Sequence, residues 1–345
     1  MSNKITVSAA QLSPVYPLNK EKTGEKTREY INQAAKKGAD LIVFPECFLP
    51  GYPNWSIDLE NPNDWVNNLK KLIKNSVSVD SPEIKKICEA AQNNSIFVVL
   101  GINERQKPYD GTIYNSIIYI SPEGEILHVH RKLFPTNREK SFHKRGEGNT
   151  LKVIDSSLAR ISGLICYEHL QPLLKYALMS QGEQIHCALW PGWPNFAQGR
   201  DNKQIIATAS RQYAIEAQNF VILSSTYVDP EAAEKASFDN ASWSFFGGSA
   251  IINPMGEYVA EPVYDREELI IREIDLDLII KRKAVVDTTG KDSRWNKINL
   301  NIKAEAESPI EYGDDNSPEN ALDADKNDES CKGDKSSNSS VESNE

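Results

Sequence analysis

Long apolar runs are absent from this sequence of 345 residues. No stretch approaches the roughly 20 apolar residues that a membrane-spanning helix needs. Met1 to Lys4 leads directly into a strand-like segment, without the basic and apolar regions of a signal peptide. We therefore expect a soluble, cytoplasmic protein with no membrane partner.

Cysteine is also scarce, and the number is odd: Cys47, Cys88, Cys166, Cys187 and Cys331. A chain of this length without a secretion signal is not expected to rely on a disulfide framework. Reduced thiols are expected, and one of them is available for chemistry.

Clusters of basic residues are missing as well. From Ala304 to Glu345 there are thirteen acidic residues against three lysines, a net charge of −10, which equals the formal charge of the whole chain. The net charge of residues 1–303 is therefore zero, and we expect no nucleic-acid partner, because phosphate binding needs a clustered basic surface.

The acidic end has one aromatic residue, Tyr312, and cannot bury enough apolar surface to offset chain entropy. The sequence predicts one folded domain over 1–303 and a disordered acidic tail over 304–345.

Within the first 300 residues, strands and helices alternate, which is the pattern of an α/β or α+β sandwich. Strands without polar alternation, as expected where both faces of a sheet are covered, are predicted at Ile5–Gln11, Leu41–Phe44, Ile96–Gly101, Ser116–Ile120, Ile161–Cys166, Ile185–Trp190 and Phe220–Ser225. Helices are predicted at Lys20–Lys37, Pro82–Gln92, Pro172–Ser180 and Asp201–Gln218.

Two similar segments predict β-hairpins. Ile117–Arg131 contains Ser-Pro-Glu-Gly-Glu and Ala250–Glu261 contains Asn-Pro-Met-Gly-Glu, so each offers a proline and a glycine suited to a type I turn. The pair hints at two related halves, although two short matches are weak evidence for a repeat.

Three candidate reactive side chains lie at the ends of predicted strands. Cys166 stands between an apolar strand and a polar turn, where N–H groups of a following helix would lower the pKa of the thiol. Glu46 follows a buried strand and suits a general base whose pKa is raised by apolar surroundings. Lys132 closes a strand and can stabilise negative charge that develops on a substrate. Taken singly, each also fits an ordinary core or surface role.

Glu139 is a fourth candidate, in a loop between Arg138 and Lys140. By itself it would be assigned to a surface ion pair. Only its company with the other three side chains makes it a candidate for the site.

In combination these motifs resemble the nitrilase superfamily. The motifs are Phe44-Pro45-Glu46, Arg131-Lys132-Leu133 and Cys166-Tyr167-Glu168-His169, in this order, and the resemblance extends from about Lys4 to about Leu300. It implies an α-β-β-α sandwich and a catalytic domain over 1–303. It further implies that Glu46 is the base, Lys132 the oxyanion-type stabiliser and Cys166 the nucleophile, while Glu139 orients the lysine and assists proton transfer.

Within the superfamily, the sequence resembles the true nitrilase branch. An aromatic residue, Glu and His follow the cysteine, and Pro172-Leu173 comes shortly after. Further stretches typical of that branch are Leu49–Pro53, Gln184–Pro191 and Phe246–Ser249. Tyr167 departs from the usual tryptophan, and the loop from Glu139 to Gly146 is longer than the family's form, with Lys140 in place of arginine. These departures put the pocket shape and the substrate range in doubt.

Residues near the predicted site are candidates for substrate contacts: Tyr52, Tyr167, Trp190, Pro191 and His169. Trp193 and Trp243 are further aromatic candidates, with core packing an equal alternative. Glu168 and His169 are expected to order the cysteine turn rather than to react.

No metal or cofactor is expected. His128 and His130 alternate on a strand, and Cys166 lies three residues before His169, but the second pair of a zinc motif is missing. Phosphate-binding and dinucleotide motifs are not evident either.

The resemblance implies hydrolysis of an organic nitrile to a carboxylic acid and ammonia through a thioimidate and a thioester on Cys166. The alternatives are an amidase of the same superfamily, a cyanide-hydrolysing member and a non-catalytic scaffold. Members of the family associate into four-layer dimers, and true nitrilases extend these into spiral filaments. A homo-oligomer is therefore expected, with Pro172–Ser180 and Asp201–Gln218 as candidate interface helices.

Overall fold

Apolar strands build two sheets in the computed structural model of this chain, which describes residues 3–57, 62–107, 109–193, 201–236 and 245–303. The first sheet consists of β1 (Lys4–Gln11), β2 (Leu41–Val43), β3 (Phe97–Arg105), β4 (Ile113–Ile120), β5 (Ile126–Arg131) and β13 (Glu268–Asp275), in the order β13-β1-β2-β3-β4-β5. The second consists of β6 (Ile154–Asp155), β7 (Arg160–Ile165), β8 (Ile185–Trp190), β9 (Phe220–Ser225), β10 (Tyr227–Val228), β11 (Phe245–Ile252) and β12 (Tyr258–Tyr264). Its order is β10-β11-β9-β8-β7-β6, and β12 pairs with β11.

Each sheet has a parallel centre. Strands β1, β2 and β3 run parallel, as do β7, β8 and β9, while the outer strands are added by antiparallel pairing. The carboxyl ends of parallel strands meet at one edge of a sheet, and side chains that follow them are brought together there.

Helices alternate with the strands along the chain. They are α1 (Lys20–Lys36), α2 (Pro62–Asn75), α3 (Pro82–Asn93), α4 (Pro172–Met179), α5 (Asn202–Ala217), α6 (Pro230–Ala236) and α7 (Asp277–Val285). Asn19 caps α1 by accepting the Lys22 N–H at 2.9 Å, and Ser81 caps α3 ahead of a proline in its first turn.

Successive residues of a strand point to opposite faces of its sheet and therefore pack in different layers. Val43 and Val99 point inward and share one core with Cys187 and Leu189 of the second sheet. The next residues along these strands of the first sheet point outward and pack against α1 and α3. On the second sheet, His186 lies against Tyr213 of α5. The α-β-β-α sandwich is therefore confirmed.

Most predicted elements are confirmed to within a few residues at their ends. Both hairpins form, one as β4–β5 in the first sheet and one as β11–β12 in the second. Helices α2, α6 and α7 and strand β13 were not anticipated from the sequence. The apolar residues of α2 do recur at helical spacing, so this helix could have been predicted. Strand β13 pairs with β1 along its whole length. A strand from late in the chain therefore adds to the sheet beside the first strand.

The chain divides into a first compact unit, Met1–Glu305, and a second unit, Ala306–Glu345, which lies outside the described residues together with the predicted acidic tail. The domain boundary remains a prediction. Over the described ranges, no helix combines the length and the apolar character needed to cross a membrane.

Candidate active site

Lys132 is the centre of a buried charge cluster. Its ammonium donates to Glu46 Oε1 at 2.9 Å and to Glu139 Oε2 at 2.8 Å. Lys132 is 1% exposed, and both carboxylates are equally inaccessible. The structure thus brings together three side chains that are 86 and 7 residues apart in sequence. We call Glu46, Lys132 and Glu139 the lysine cluster.

Backbone geometry places these groups. Glu46 follows β2 through Phe44 and Pro45, and this loop crosses Gly101 of β3, where an added Cβ would lie 2.1 Å from the Pro45 carbonyl oxygen. A side chain at that position would push Glu46 aside. Lys132 follows β5 directly, and its N–H donates to the Asn115 carbonyl at 2.8 Å.

Neutral donors complete part of the lysine cluster. Asn115 Nδ2 donates to Glu46 Oε1 at 2.7 Å, the Tyr52 hydroxyl to Glu139 Oε1 at 2.8 Å, and the Thr136 N–H to Glu139 Oε2 at 2.8 Å. Both oxygens of Glu139 are therefore bonded. Among the described residues, Glu46 Oε2 has no hydrogen-bond partner.

The protein environment shifts the pKa values of the two carboxyl groups in opposite directions. Burial raises the pKa of Glu46 to about 7, against the opposing pull of Lys132. Burial acts in the same direction on Glu139, but Lys132, with help from His143, outweighs it and lowers the pKa of that carboxyl. Burial opposes the charge of Lys132, and attraction to Glu139 and Glu46 overcomes this and holds its pKa well above the ordinary value. The arrangement is a charged lysine, a charged Glu139 and a Glu46 that can exchange a proton near neutral pH.

Cys166 begins a 3₁₀ turn, Cys166–Leu170, directly after β7. Its φ of +52° is unusual for a residue with a side chain and marks a sharp turn. The expected effect of a following helix on the thiol is wrong, because α4 begins only at Pro172 and Cys166 is buried. Burial and Glu46 raise the pKa of the thiol well above its usual value, although Lys132 and the Tyr167 N–H act to lower it. The resting sulfur is a thiol that needs a base.

Glu168 ties the cysteine turn to the lysine strand. Its Oε1 accepts the Leu133 N–H at 2.8 Å, and its Oε2 accepts the Ile165 N–H at 3.0 Å and contacts His130 Nε2 at 3.1 Å. One buried carboxylate therefore fixes the residue before Cys166 against the residue after Lys132. This agrees with the ordering role predicted for Glu168.

A small cleft adjoins the sulfur. Its walls are Cys166, Tyr167, Trp190, Pro191, Trp193, Asn202, Ile205 and Ile206. Three of the five predicted substrate contacts, Tyr167, Trp190 and Pro191, line it. Tyr52 instead binds Glu139 and packs edge-on against Trp193 at 5.4 Å between ring centroids. Trp243 lies outside the described residues.

His169 lies behind this cleft and is not among its lining residues. One ring nitrogen contacts the Cys166 carbonyl oxygen at 2.8 Å, the other contacts His186 at 3.0 Å, and the ring stacks on Trp190. With both nitrogens engaged, His169 supports the turn, so we no longer propose it as a substrate contact.

Sequence reasoning missed Asn115, Asn103 and His143. Asn103 Oδ1 accepts from His143 Nε2 at 2.8 Å, and Asn103 Nδ2 donates to the Gly51 carbonyl at 2.9 Å, which supports the loop that carries Tyr52. A polar side chain within an otherwise apolar strand was the available signal for both asparagines. Among the described residues, no group of three His, Cys, Asp or Glu side chains is suited to hold a metal ion.

Known proteins share both the sequence and the fold. The model of the carbon-nitrogen hydrolase family matches residues 6–284. An aliphatic nitrilase of Rhodococcus rhodochrous is 35% identical over 320 residues, which cover 90% of this chain and 85% of the relative. An arylacetonitrilase of Aspergillus kawachii (strain NBRC 4308) is 36% identical over 318 residues, with 88% and 93% covered.

Among solved structures, Saccharomyces cerevisiae Nit3, a member of branch 10 of the nitrilase superfamily, aligns with a TM-score of 0.67 at 24% identity, covering 84% of this chain and 96% of Nit3. This likeness supports the fold. The family match and the relatives extend over nearly the whole described chain and include every residue of the lysine cluster and Cys166. The chain belongs to the carbon-nitrogen hydrolase family, within the nitrilase superfamily.

Proposed function

We propose that the protein is a nitrilase, which hydrolyses an organic nitrile to the carboxylic acid and ammonia through a covalent adduct on Cys166. One observation carries the proposal: a lysine ammonium lies between two buried carboxylates, these charges act on the pKa of the buried Cys166 thiol, and among the described residues one oxygen of Glu46 is left without a partner. The curated relatives named as nitrilases support the choice of a nitrile.

In the first step, Glu46 Oε2 takes the thiol proton as the sulfur attacks the nitrile carbon. The electron pair of one C–N π bond moves to nitrogen, which then receives the proton and becomes a thioimidate. In this proposal, Lys132 stabilises the charge that develops on this nitrogen. The raised pKa of Glu46 matches this role, since a base that titrates near the working pH transfers protons most effectively.

In the second step, water adds to the thioimidate carbon with a glutamate as base. Protonated nitrogen leaves as ammonia, and a thioester remains on Cys166. A second water molecule hydrolyses the thioester, releases the acid and restores the thiol, so one nitrile consumes two waters. Expulsion of the thiol from the tetrahedral intermediate would release an amide instead.

The cleft favours an apolar substituent on the nitrile. Tyr167, Trp190, Pro191 and Ile206 supply apolar and aromatic walls, which hold a small ligand mainly by removing its surface from water. Tyr52 supports the site from the other side through Glu139.

We also propose the wider organisation that the sequence predicts: a catalytic domain over 1–303, an acidic tail over 304–345, a cytoplasmic location and a homo-oligomer able to extend into a spiral. Leu170 and Leu173, beside and within α4, are exposed apolar side chains that support a role of this helix in assembly. Light scattering of the wild type and of Leu173→Glu measures this directly, and an unchanged mass would contradict the assignment of α4.

The test of the activity is a parallel panel of aliphatic and aromatic nitriles, the matching amides and cyanide, with acid, amide and ammonia measured. We expect nitrile turnover by the wild type and none by Cys166→Ala. Turnover of amides alone would identify an amidase, and turnover of cyanide alone a cyanide-hydrolysing enzyme.

A scaffold without activity is tested separately. Iodoacetamide labelling followed by mass spectrometry should modify Cys166 faster than the buried Cys47 and Cys187, which lie outside the cleft lining. Equal rates at all three positions would oppose a reactive site.

A further inference from the structure

A second buried polar chain lies behind the cysteine turn and takes no part in the steps above. His169 contacts the Cys166 carbonyl oxygen, His169 Nε2 contacts His186 Nε2 at 3.0 Å, and His186 Nδ1 contacts Glu183 Oε1 at 2.7 Å. All three side chains are at most 3% exposed. We call His169, His186 and Glu183 the histidine chain.

The contacts fix where the protons are. A carbonyl oxygen only accepts, so His169 Nδ1 carries a hydrogen and donates it to Cys166. Burial and His186 lower the pKa of His169 well below its usual value, so this ring is neutral and its Nε2 accepts. The hydrogen between the two rings must then be on His186 Nε2.

The last contact joins His186 to a carboxyl group that is held from several sides. His186 Nδ1 contacts Glu183 Oε1 at 2.7 Å. Glu183 also accepts from the Ser162 hydroxyl, the Tyr213 hydroxyl and Asn219 Nδ2. Three donors besides His186 fix this carboxyl group, so the histidine chain is anchored at its Glu183 end.

The ring of Tyr213 fixes the orientation of the His186 ring. It stacks on His186 with centroids 3.6 Å apart and an interplanar angle of 22°.

The other end of the histidine chain meets the reaction site. The Cys166 carbonyl belongs to the same peptide group as the Tyr167 N–H, which acts to lower the pKa of the Cys166 thiol. In a planar trans peptide the C=O and N–H point in opposite directions, so a donor that holds the carbonyl also fixes the direction of the N–H. Hydrogen bonds in a buried chain polarise one another, so the contacts of His186 strengthen this hold.

We propose that Glu183 and His186 act through His169 to hold the Cys166–Tyr167 peptide in place at the reacting cysteine. His169, His186 and Glu183 are positioning residues, and none of them touches the substrate. The role rests on Cys166 being the nucleophile of the proposed function. The direction of the hydrogen bonds along the histidine chain is independent of that function.

The hydrogen-bond directions are tested by solid-state nitrogen-15 spectra of protein labelled in histidine, with the His186 signals assigned from His186→Asn. We expect His169 to carry its hydrogen on Nδ1 and His186 to carry a hydrogen on Nε2. A His169 protonated on Nε2 would overturn the proposal.

The positioning role is tested with His169→Ala, His169→Asn and Glu183→Gln. We expect His169→Ala and Glu183→Gln to lower kcat about 10- to 100-fold with little change in KM, as expected when a reacting group is slightly misplaced. His169→Asn should recover most of the kcat, because the amide can donate to the same carbonyl. The same order is expected for iodoacetamide labelling of Cys166, which needs no nitrile.

The matched control is Glu267→Gln, a carboxylate of the β12–β13 turn that accepts from the Ser13 N–H and from Lys26. This variant is expected to melt at a lower temperature with unchanged kcat. If His169→Asn is no better than His169→Ala, or if Glu183→Gln loses melting temperature alone, as the control does, the histidine chain is merely structural. Absence of nitrile turnover in the wild type, with the labelling order kept, would remove the proposed function and leave the positioning role.

Discussion

The lysine cluster and the histidine chain are both buried and both contain ionisable groups, yet they are completed to different degrees. In the lysine cluster, two carboxylates share one ammonium, and among the described residues Glu46 Oε2 has no partner. In the histidine chain, the Glu183 carboxyl group has four hydrogen-bond partners, and each ring nitrogen is engaged. The lysine cluster has an oxygen available for a proton, and the histidine chain has none.

The difference separates reaction from support. A buried polar network that is fully satisfied is rigid, whereas a group left unsatisfied carries a desolvation cost that a substrate or a proton can relieve. Burial raises the pKa of Glu46, and the size of this shift reflects the desolvation cost of the ionised carboxyl group. We therefore assign proton transfer to the lysine cluster and geometry to the histidine chain.

The largest effect is expected from Lys132→Met, which removes the one cation of the lysine cluster. Two buried carboxylates then face each other, and loss of one partner of a buried ion pair costs about 3–5 kcal/mol of unfolding free energy. The transition state also loses its stabilising charge, for a decrease in kcat/KM of about 100-fold or more. Urea unfolding and initial rates with the best nitrile measure the two losses. A variant as stable as the wild type would contradict the geometry described for the cluster.

Glu46→Gln is expected to separate activity from stability. The amide keeps the shape, and its oxygen can still accept from Lys132 and Asn115, while the like charge beside Glu139 disappears. We expect kcat to fall by about 10²- to 10⁴-fold, the range for loss of a general base. The unfolding free energy should be unchanged or higher. Glu139→Gln is the matched control, because Lys132 keeps that carboxyl ionised, and this change should lower stability as well as activity.

Much of this contrast was accessible from the sequence. Glu46, Lys132 and Cys166 each end an apolar strand, and strand ends in α/β folds collect at one edge. The order of the three motifs resembles one superfamily, and the family match and the fold confirm it. These motifs can be recognised in the sequence without knowing which distant segments come into contact.

The groups that support the site were less accessible, because their role depends on which strands become neighbours. Asn115 offered only a polar residue within a strand, and Glu183 and His186 lie beside and within an apolar strand. Their contacts form only because β4 passes beside Glu46 and α5 covers β8. Gly101 is a further example, since its lack of a side chain matters only where the Glu46 loop crosses it. The direction of the Cys166 pKa shift was misjudged, because the turn after β7 was expected to be the start of a helix and the burial of the thiol was not anticipated.

The pH dependence of kcat/KM tests the role of Glu46 as the base. A carboxyl group accepts a proton only when ionised, and the pKa of Glu46 is raised to about 7. We therefore expect kcat/KM to rise about tenfold per pH unit below about pH 7 and to level off above it. The small residual rate of Glu46→Gln should lack this rise. Should the wild-type profile rise only near pH 4, Glu46 would have an ordinary pKa, and the cost assigned to its burial would be absent.

The smallest effect is expected from Tyr52→Phe, which tests how much the completed half of the lysine cluster matters. The change removes the hydroxyl that donates to Glu139 Oε1 and keeps the ring against Trp193 and Phe245. A hydrogen bond to a charged group contributes about 1.5–3 kcal/mol, so unfolding in urea should show a loss near the lower end. Because Glu139 Oε2 still accepts from Lys132 and from the Thr136 N–H, the lysine should stay in place, and kcat should fall by less than about tenfold, or about 1.4 kcal/mol. A fall in kcat as large as that of Glu46→Gln would mean that Glu139 and its donors take part in proton transfer. Glu139 would then be a reacting group and not a supporting one.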